Sequence, residues 1–247
     1  IEEAADKQGL ATMITSCGED PQRLVKALDA LMERQVDGII AVPLEGAEEA
    51  LEQARAYRPL VLIDRALGQI PAVLSDPHTG MEQAVQQLKE KGHTHIGYLS
   101  GPQETSTGRQ RLQAFEAATR GLPTHIHHGS YRHREGYKGA IALLQEGVTA
   151  LIAGDSMMTA GALEACHNAG KRIGEEIALV GFDDFIYLRF QPSPISVVDQ
   201  DVARMGETAT TKLVAAINDK HQPEGEVLAT RYIPRMSTAH QLEKDTL

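Results

Sequence analysis

Cysteine is nearly absent from this chain of 247 residues: only Cys17 and Cys166 occur, far apart and outside any CxxC or zinc-type spacing. Nothing therefore supports a disulfide framework, and a reducing compartment fits. No apolar run approaches the roughly 20 residues that a membrane-spanning helix needs. The first residues, IEEAADKQG, are charged rather than signal-like, so a cytoplasmic location is expected. Basic side chains are outnumbered, 24 Lys and Arg against 34 Asp and Glu, for a formal net charge of −10. That balance disfavours a broad phosphate-binding surface, and these residues are not expected to bind nucleic acid by themselves.

Catalytic and cofactor fingerprints are lacking too. The chain has no GxGxxG dinucleotide loop and no GxxxxGK[ST] phosphate loop. GDSMM (154–158) lacks the second glycine of a nucleophile elbow. No cofactor and no enzymatic activity are expected. His125, His127, His128 and His133 crowd one stretch, HIHHGSYRH, yet no cysteine or carboxylate completes a zinc pattern there, and they read as solvated loop histidines.

What is present is alternation. LATMITS (10–16) is strand-like, and PQRLVKALDALMERQ (21–35) places Leu24, Leu28 and Leu31 on one helical face. GIIAVP (38–43) reads as a buried strand, GAEEALEQARAY (46–57) as a helix and PLVLID (59–64) as another strand. HTGMEQAVQQLKEKG (78–92) carries Met81, Val85 and Leu88 at helical spacing and stops at Gly92. The strand HIGYLSG, a helix around Leu112 and Phe115, the strand TALIAG, the helix MMTAGALEACHNAG and the strand IALVGF follow. This order predicts an α/β fold of mostly parallel sheets with helices on both faces. After residue 190 the parallel order is expected to stop: QPSPISVVDQ is proline-punctuated, 201–218 reads as a helix through Val202, Met205, Ala209 and Leu213, and GEVLATRYIP (225–234) is a last strand. At this length two units are expected, divided near LSGPQ (99–103).

Two acids, Asp183 and Asp184, follow the buried-type run EIALVGF. Asp serves turns and caps, but ligands also sit outside the carboxyl ends of strands in open α/β sheets. Adjacent carboxylates cannot flank a substrate as an opposed acid/base pair must, which argues against hydrolysis.

The strings VDGIIAVP, PLVLIDRAL, QLKEKGHTHIGYLSGP, TGRQRLQAF, IAGDSMMTAGALEA, RIGEEIALVGFDDF and PISVVDQDVARMGETA, in that order and spacing, resemble the effector-binding region of the lactose and galactose repressor (LacI/GalR) family of bacterial transcription regulators. The resemblance runs from about residue 10 to about residue 237. It implies two doubly wound parallel-sheet subdomains, periplasmic-binding-protein-like, joined by three crossover connections at a hinge. Residues 1–100 plus 197–222 would form one subdomain, and 101–196 plus 223–247 the other. A sugar or sugar derivative, or less expectedly a purine, would sit in the cleft, and hinge closure would alter how a homodimer presents its DNA-binding heads. Operator DNA would be met through an upstream helix-turn-helix, which with the hinge helix and first core strand is not among these residues. The rival reading is a periplasmic sugar receptor, which shares the cleft but needs a secretory signal.

The resemblance implies that Asp183 accepts hydrogen bonds from the ligand while Asp184 serves the turn. Arg111, rather than Arg109 two residues away and nearly opposite on a helix, would reach the ligand with its fork of donors, with Thr107 beside it. Tyr131 would cover a flat ligand face. Asp64 and Arg65 follow a buried strand and are expected at a carboxyl end, with an ion pair between them as the alternative. Asp155 is expected chiefly as a helix cap that can also reach ligand, and Gln200 as a crossover contact.

Overall fold

A computed structural model describes residues 1–239. In chain order the first elements are helix α1 (Glu2–Asp6), α2 (Pro21–Glu33), strand β1 (Ile39–Ala41), α3 (Glu48–Tyr57), β2 (Leu60–Ile63) and β3 (Ala72–Asp76). Helix α2 starts where its sequence says it should. Asp20 accepts from the Gln22 amide at 2.9 Å and from the Arg23 amide, and Pro21 occupies the first turn, where its missing N–H costs nothing. There follow α4 (His78–Glu90), β4 (Ile96–Ser100), α5 (Ser106–Ala118), β5 (Thr124–His128), α6 (His133–Gln145), β6 (Ala150–Ala153), α7 (Ser156–Asn168), β7 (Ala178–Phe182), α8 (Ile186–Arg189) and β8 (Ser196–Asp199). The chain ends in α9 (Val202–Asp219), β9 (Glu226–Ala229), β10 (Arg231–Ile233) and a 3₁₀ turn, Met236–Thr238. No helix among the described residues is long and apolar enough to cross a membrane.

Packing divides the chain into two units: Ile1–Ser75 with Val202–Leu228, and Asp76–Asp201 with the chain from Ala229 onward. The smaller holds a four-stranded sheet in the order β1-β2-β3-β9, with β1, β2 and β3 mutually parallel. Strand β2 shows why the sheet needs helices on both faces. Its Leu60 and Leu62 join Leu24, Leu28 and Leu51 in one cluster, while Val61 and Ile63 join Met205, Ala209 and Leu213 in another.

The larger unit holds six strands in the order β10-β8-β7-β6-β4-β5, parallel except at the antiparallel β10 edge. Strand β6 repeats the alternation: Leu151 and Ala153 pack with Leu143, Met158 and Ala162, whereas Ala150 and Ile152 pack with Met81, Leu88 and Phe115. Each fully buried Leu or Ile contributes about 1.5–3 kcal/mol over its exposed state, which makes this doubly covered sheet the main source of the unit's stability.

Several expectations change here. Residues 10–16 form no strand, and Leu10, Met13 and Ile14 are exposed, Ile14 at 72%. A strand exists only against a ladder partner, and β1 at the sheet edge pairs with β2 alone. The division expected near 99–103 falls at Ser75/Asp76, because β4 lies between β5 and β6 and α4 packs its Met81, Val85 and Leu88 against Ala114 and Phe115. The later divisions fall at Asp201/Val202 and Leu228/Ala229 rather than at 196/197 and 222/223. Of the expected 223–247 segment, residues 240–247 lie outside the described residues. Parallel order continues past residue 190, since β8 pairs with β7 in parallel. The expected last strand is split at Thr230, whose amide and hydroxyl both donate to the Asp76 carbonyl, at 3.1 and 2.9 Å. The histidines of 125–128 lie on the edge strand β5 rather than in a loop.

Candidate functional site

Because β4, β6, β7 and β8 are parallel, their carboxyl ends share one edge of the larger sheet. The turn leaving β4 is held by its own side chains. Gln103 Nε2 donates to Ser100 Oγ at 2.9 Å and to the Gly101 carbonyl at 2.8 Å, and Thr105 caps α5 by accepting from the Gly108 amide at 3.0 Å. Two glycines are required by close approach. A Cβ at Gly108 would stand 1.8 Å from the Pro102 carbonyl oxygen, and one at Gly101 would stand 2.2 Å from the Tyr131 ring.

Thr107 and Arg111 are one helical turn apart on α5, so both face inward and both are buried. Arg111 donates from Nη1 to the Gly154 carbonyl at 2.9 Å and from Nη2 to Gln200 Oε1 at 3.3 Å. Its guanidinium carbon lies 4.0 Å from the Phe182 ring centroid and 5.9 Å from that of Tyr131. A desolvated cation on an aromatic face is worth about 2 kcal/mol, so Arg111 ties β6, β7 and the end of β8 together. Arg109 points elsewhere, donating to the Gln103 and Glu104 carbonyls at 2.8 Å each. Helix geometry thus separates the two arginines as the sequence predicts.

Around Arg111 stand the other expected residues. The Tyr131 and Thr107 hydroxyls are 3.0 Å apart. Asp155 caps α7, its Oδ1 accepting from the Met157 amide at 2.8 Å and the Met158 amide at 3.3 Å. Asp183 is 7% exposed and sits at φ +63, in the left-handed region that Asp tolerates better than most residues. Such backbone at a strand end is a recurrent feature of ligand sites. Asp184 is turned away and structural, pairing with Arg189 at 2.8 Å and Arg235 at 2.7 Å. Burial works to raise its carboxyl pKa, but the two arginine hydrogen bonds outweigh burial and hold it below the ordinary value.

Sequence reasoning missed three neighbours. Tyr98 on β4 stacks on Phe115, centroids 4.5 Å apart, and its buried Oη has no hydrogen-bond partner among the described residues. Burial drives that hydroxyl's pKa far up, the Arg111 charge opposing and Tyr131 and Asp155 reinforcing the shift. Phe182 carries the Arg111 cation. Tyr187 has its hydroxyl pKa raised by burial, then by the charges of Asp155 and Asp183, which places it in the field of both acids. Tyr98 and Phe182 lie in hydrophobic strands, where pattern reads them as core; only the aromatic before Asp183 offered a signal.

The smaller unit has its own strand-end pair. Asp64 ends β2 at φ +69, and Arg65 is 6% exposed. Arg65 makes a fork to Glu19, Nη1 to Oε2 at 2.8 Å and Nη2 to Oε1 at 3.0 Å, whereas its Nε is 3.8 Å from Asp64 Oδ2. Glu19, 46 residues upstream and itself at φ +60, is the stronger partner and was not foreseen. On the edge strand, His125 faces Glu146, and His133 lies 3.0 Å from Glu164. Among the described residues no three His, Cys, Asp or Glu side chains converge as metal ligands would.

Residues 85–238 match the family described as periplasmic binding protein-like domain. The chain is 39% identical to a probable LacI family transcriptional regulator from Corynebacterium glutamicum whose structure covers 96% of this chain and 90% of its own, with a TM-score of 0.87. It is 28% identical over 235 residues to the HTH-type transcriptional repressor PurR of Haemophilus influenzae (strain PittEE), spanning 91% of this chain and 69% of that protein. A LacI family transcriptional regulator from Enterococcus faecalis V583, solved with bound ribose, is 24% identical with a TM-score of 0.87, covering 98% and 92% of the two chains.

Proposed function

This chain belongs to the LacI family of transcriptional regulators and has the periplasmic-binding-protein-like domain, and on that premise we propose that it is the effector-sensing and dimerisation region of a bacterial repressor whose effector is a sugar or sugar-like small molecule. Thr107, Arg111, Tyr131, Asp155, Asp183 and Gln200 are the proposed effector contacts in the larger unit, and Asp64 is the proposed contact in the smaller. The observation that carries this reading is Arg111: a buried guanidinium braced by Gly154 and Gln200 and flattened on Phe182, at a strand-end edge that also bears Asp183 and the Thr107–Tyr131 hydroxyl pair. Such an edge supplies fixed donors, acceptors and an aromatic face, the inventory that a polyol ring requires. The ribose held by the Enterococcus faecalis relative is consistent with it. Arg65, beside Asp64 and held by the fork to Glu19, is a further proposed contact in the smaller unit.

Operator DNA would be read by an upstream helix-turn-helix, not by these residues, whose net charge is −10. Such a regulator works in the cytoplasm, where that DNA is. Paired half-sites call for a two-fold dimer. In the larger unit Ile186 and Phe190 are exposed, Phe190 at 78%, and a second copy of the chain is the occupant proposed for this apolar turn. Sedimentation should give a dimer for the parent and a shift toward monomer for Phe190→Glu; a monomeric parent would refute the assignment.

The test of the sensing function is a thermal-shift screen against pentoses, hexoses, their derivatives and purines. A ligand at a hundred times its Kd adds about 2.7 kcal/mol, equivalent to about 5–10 °C for a chain of this size. A flat screen on folded protein would contradict the sugar reading.

A further inference from the structure

Two of the proposed effector contacts, Asp155 and Asp183, follow different strands, β6 and β7, and one buried side chain joins the backbones that carry them. We propose that Thr159 is a positioning residue of this site: without touching the effector, its hydroxyl sets the placement of Asp155 against Phe182 and Asp183. The inference rests on the sensing reading above and adds a residue to it.

The need for such a group follows from where the strand ladder stops. The register between β6 and β7 ends with Ile152 opposite Val180. Just past Ala153 the chain leaves the sheet: the Gly154 amide donates to the Leu99 carbonyl of β4 at 2.9 Å, and α7 begins at Ser156. Strand β7 runs on against β8, with Phe182 opposite Val198 and the Asp183 amide donating to the Val198 carbonyl at 2.9 Å. Successive amides of a strand point to opposite sides, so the Phe182 amide faces β6 where that strand has ended. A buried amide there needs another acceptor. Thr159 supplies it, its Oγ1 accepting from the Phe182 amide at 3.0 Å.

The hydroxyl is itself oriented. Its single hydrogen goes to the Asp155 carbonyl at 2.8 Å, one turn back along α7, which leaves a lone pair for Phe182. Thr159 is fully buried, and a Cβ at Gly181 would stand 2.6 Å from its Cγ2, so methyl and hydroxyl are seated on β7 together. On one side of this bridge lies Asp155, whose carboxylate caps α7. On the other lie the Phe182 ring, 4.0 Å from the Arg111 guanidinium carbon, and the turn at Asp183 with φ +63. Left-handed backbone persists only where its surroundings hold it, and without Thr159 the end of β7 would be held from the β8 side alone.

The test is calorimetric titration of the parent, Thr159→Val, Thr159→Ser and Thr159→Ala with D-ribose, D-glucose and D-galactose, with the Tm of each unliganded protein measured alongside. Thr and Val differ by the hydroxyl with the methyl kept. Ser and Ala differ by the hydroxyl with the methyl gone, a comparison that stands even if the Val variant does not fold. For a sugar that the parent binds, the Ser variant is expected within about threefold of the parent, and the Val and Ala variants about tenfold weaker or worse. The Ser variant loses packing on Gly181, so a loss of stability alone would weaken its binding in step with its Tm rather than spare it. Val or Ala binding as tightly as the parent, or Ser falling as far as Ala, overturns this inference and leaves the sensing reading standing. Absence of binding of all three sugars by the parent overturns the sugar reading, and this inference with it.

Discussion

Tyr98→Phe deletes one oxygen from the floor beneath Arg111 and should make the protein more stable. The Tyr98 hydroxyl is fully buried without a hydrogen-bond partner among the described residues, and its ring is already packed face to face on Phe115. Removing a buried, unsatisfied hydroxyl relieves a desolvation penalty of about 1–3 kcal/mol, and Phe fills the same volume minus that atom. Against the gain stands the attraction between the hydroxyl dipole and the nearby Arg111 charge, of the order of half a kcal/mol at an effective dielectric typical of proteins. The net expectation is a stabilisation of about 1–2 kcal/mol, which for a chain of this length is a rise in Tm of about 3–6 °C. Scanning calorimetry of the two proteins without ligand measures it. A fall in Tm of 3 °C or more would show that the hydroxyl is satisfied in solution and that the reasoning about this floor is wrong.

Two further outcomes follow from packing and from charge. Gly161→Ala should destabilise by about 2–4 kcal/mol, because its Cβ would stand 2.3 Å from the His133 carbonyl oxygen and 2.4 Å from the Tyr137 amide nitrogen, both backbone atoms that cannot step aside; a denaturant midpoint within error of the parent would refute the close α6–α7 approach. Asp184 has its carboxyl pKa held below the usual range by Arg189 and Arg235, so its contribution to stability is complete above the ordinary Asp pKa near 4 and is lost as pH falls through the lower folded value. Asp184→Asn should be less stable than the parent at pH 7, with the difference shrinking below about pH 4; a pH-independent difference would mean the carboxylate acts by shape alone.

Much of the α/β order was legible because period and punctuation agreed: Met81, Val85 and Leu88 followed by Gly92 are a helix on any reading, and that helix forms. What pattern could not show was partnership. LATMITS has a strand's composition, but a strand is a property of two segments, and residues 10–16 stay exposed because β1 pairs only with β2. The Gly-Pro turn after β4 looked like a border, yet the chain changes unit at Ser75/Asp76, just before Pro77. Thr230 divides what reads as one strand because its hydroxyl and amide both bind Asp76, a contact 154 residues away.

The candidate site divides along the same line. Helical angle set Arg111 and Arg109 on opposite faces, the family resemblance favoured Arg111, and Asp155 could be read as a cap from the residues that follow it. Glu19 could not be matched to Arg65, since nothing local links them, although it braces that arginine at the strand end. Tyr98 and Phe182 were hidden because one side chain can be both core filler and site floor. Their ring faces satisfy the hydrophobic pattern, while a phenol oxygen and a cation-bearing π face do the polar work.

The central claim is that Asp183, at the carboxyl end of β7, meets the effector. Calorimetric titration of the parent and Asp183→Asn with the sugar giving the largest thermal shift tests it most directly, because Asn tolerates the φ +63 backbone and keeps the side chain's shape. The account predicts a folded variant with a loss of affinity of at least tenfold, about 1.4 kcal/mol. Equal affinity in the two proteins would contradict it and move the site away from this edge of the sheet.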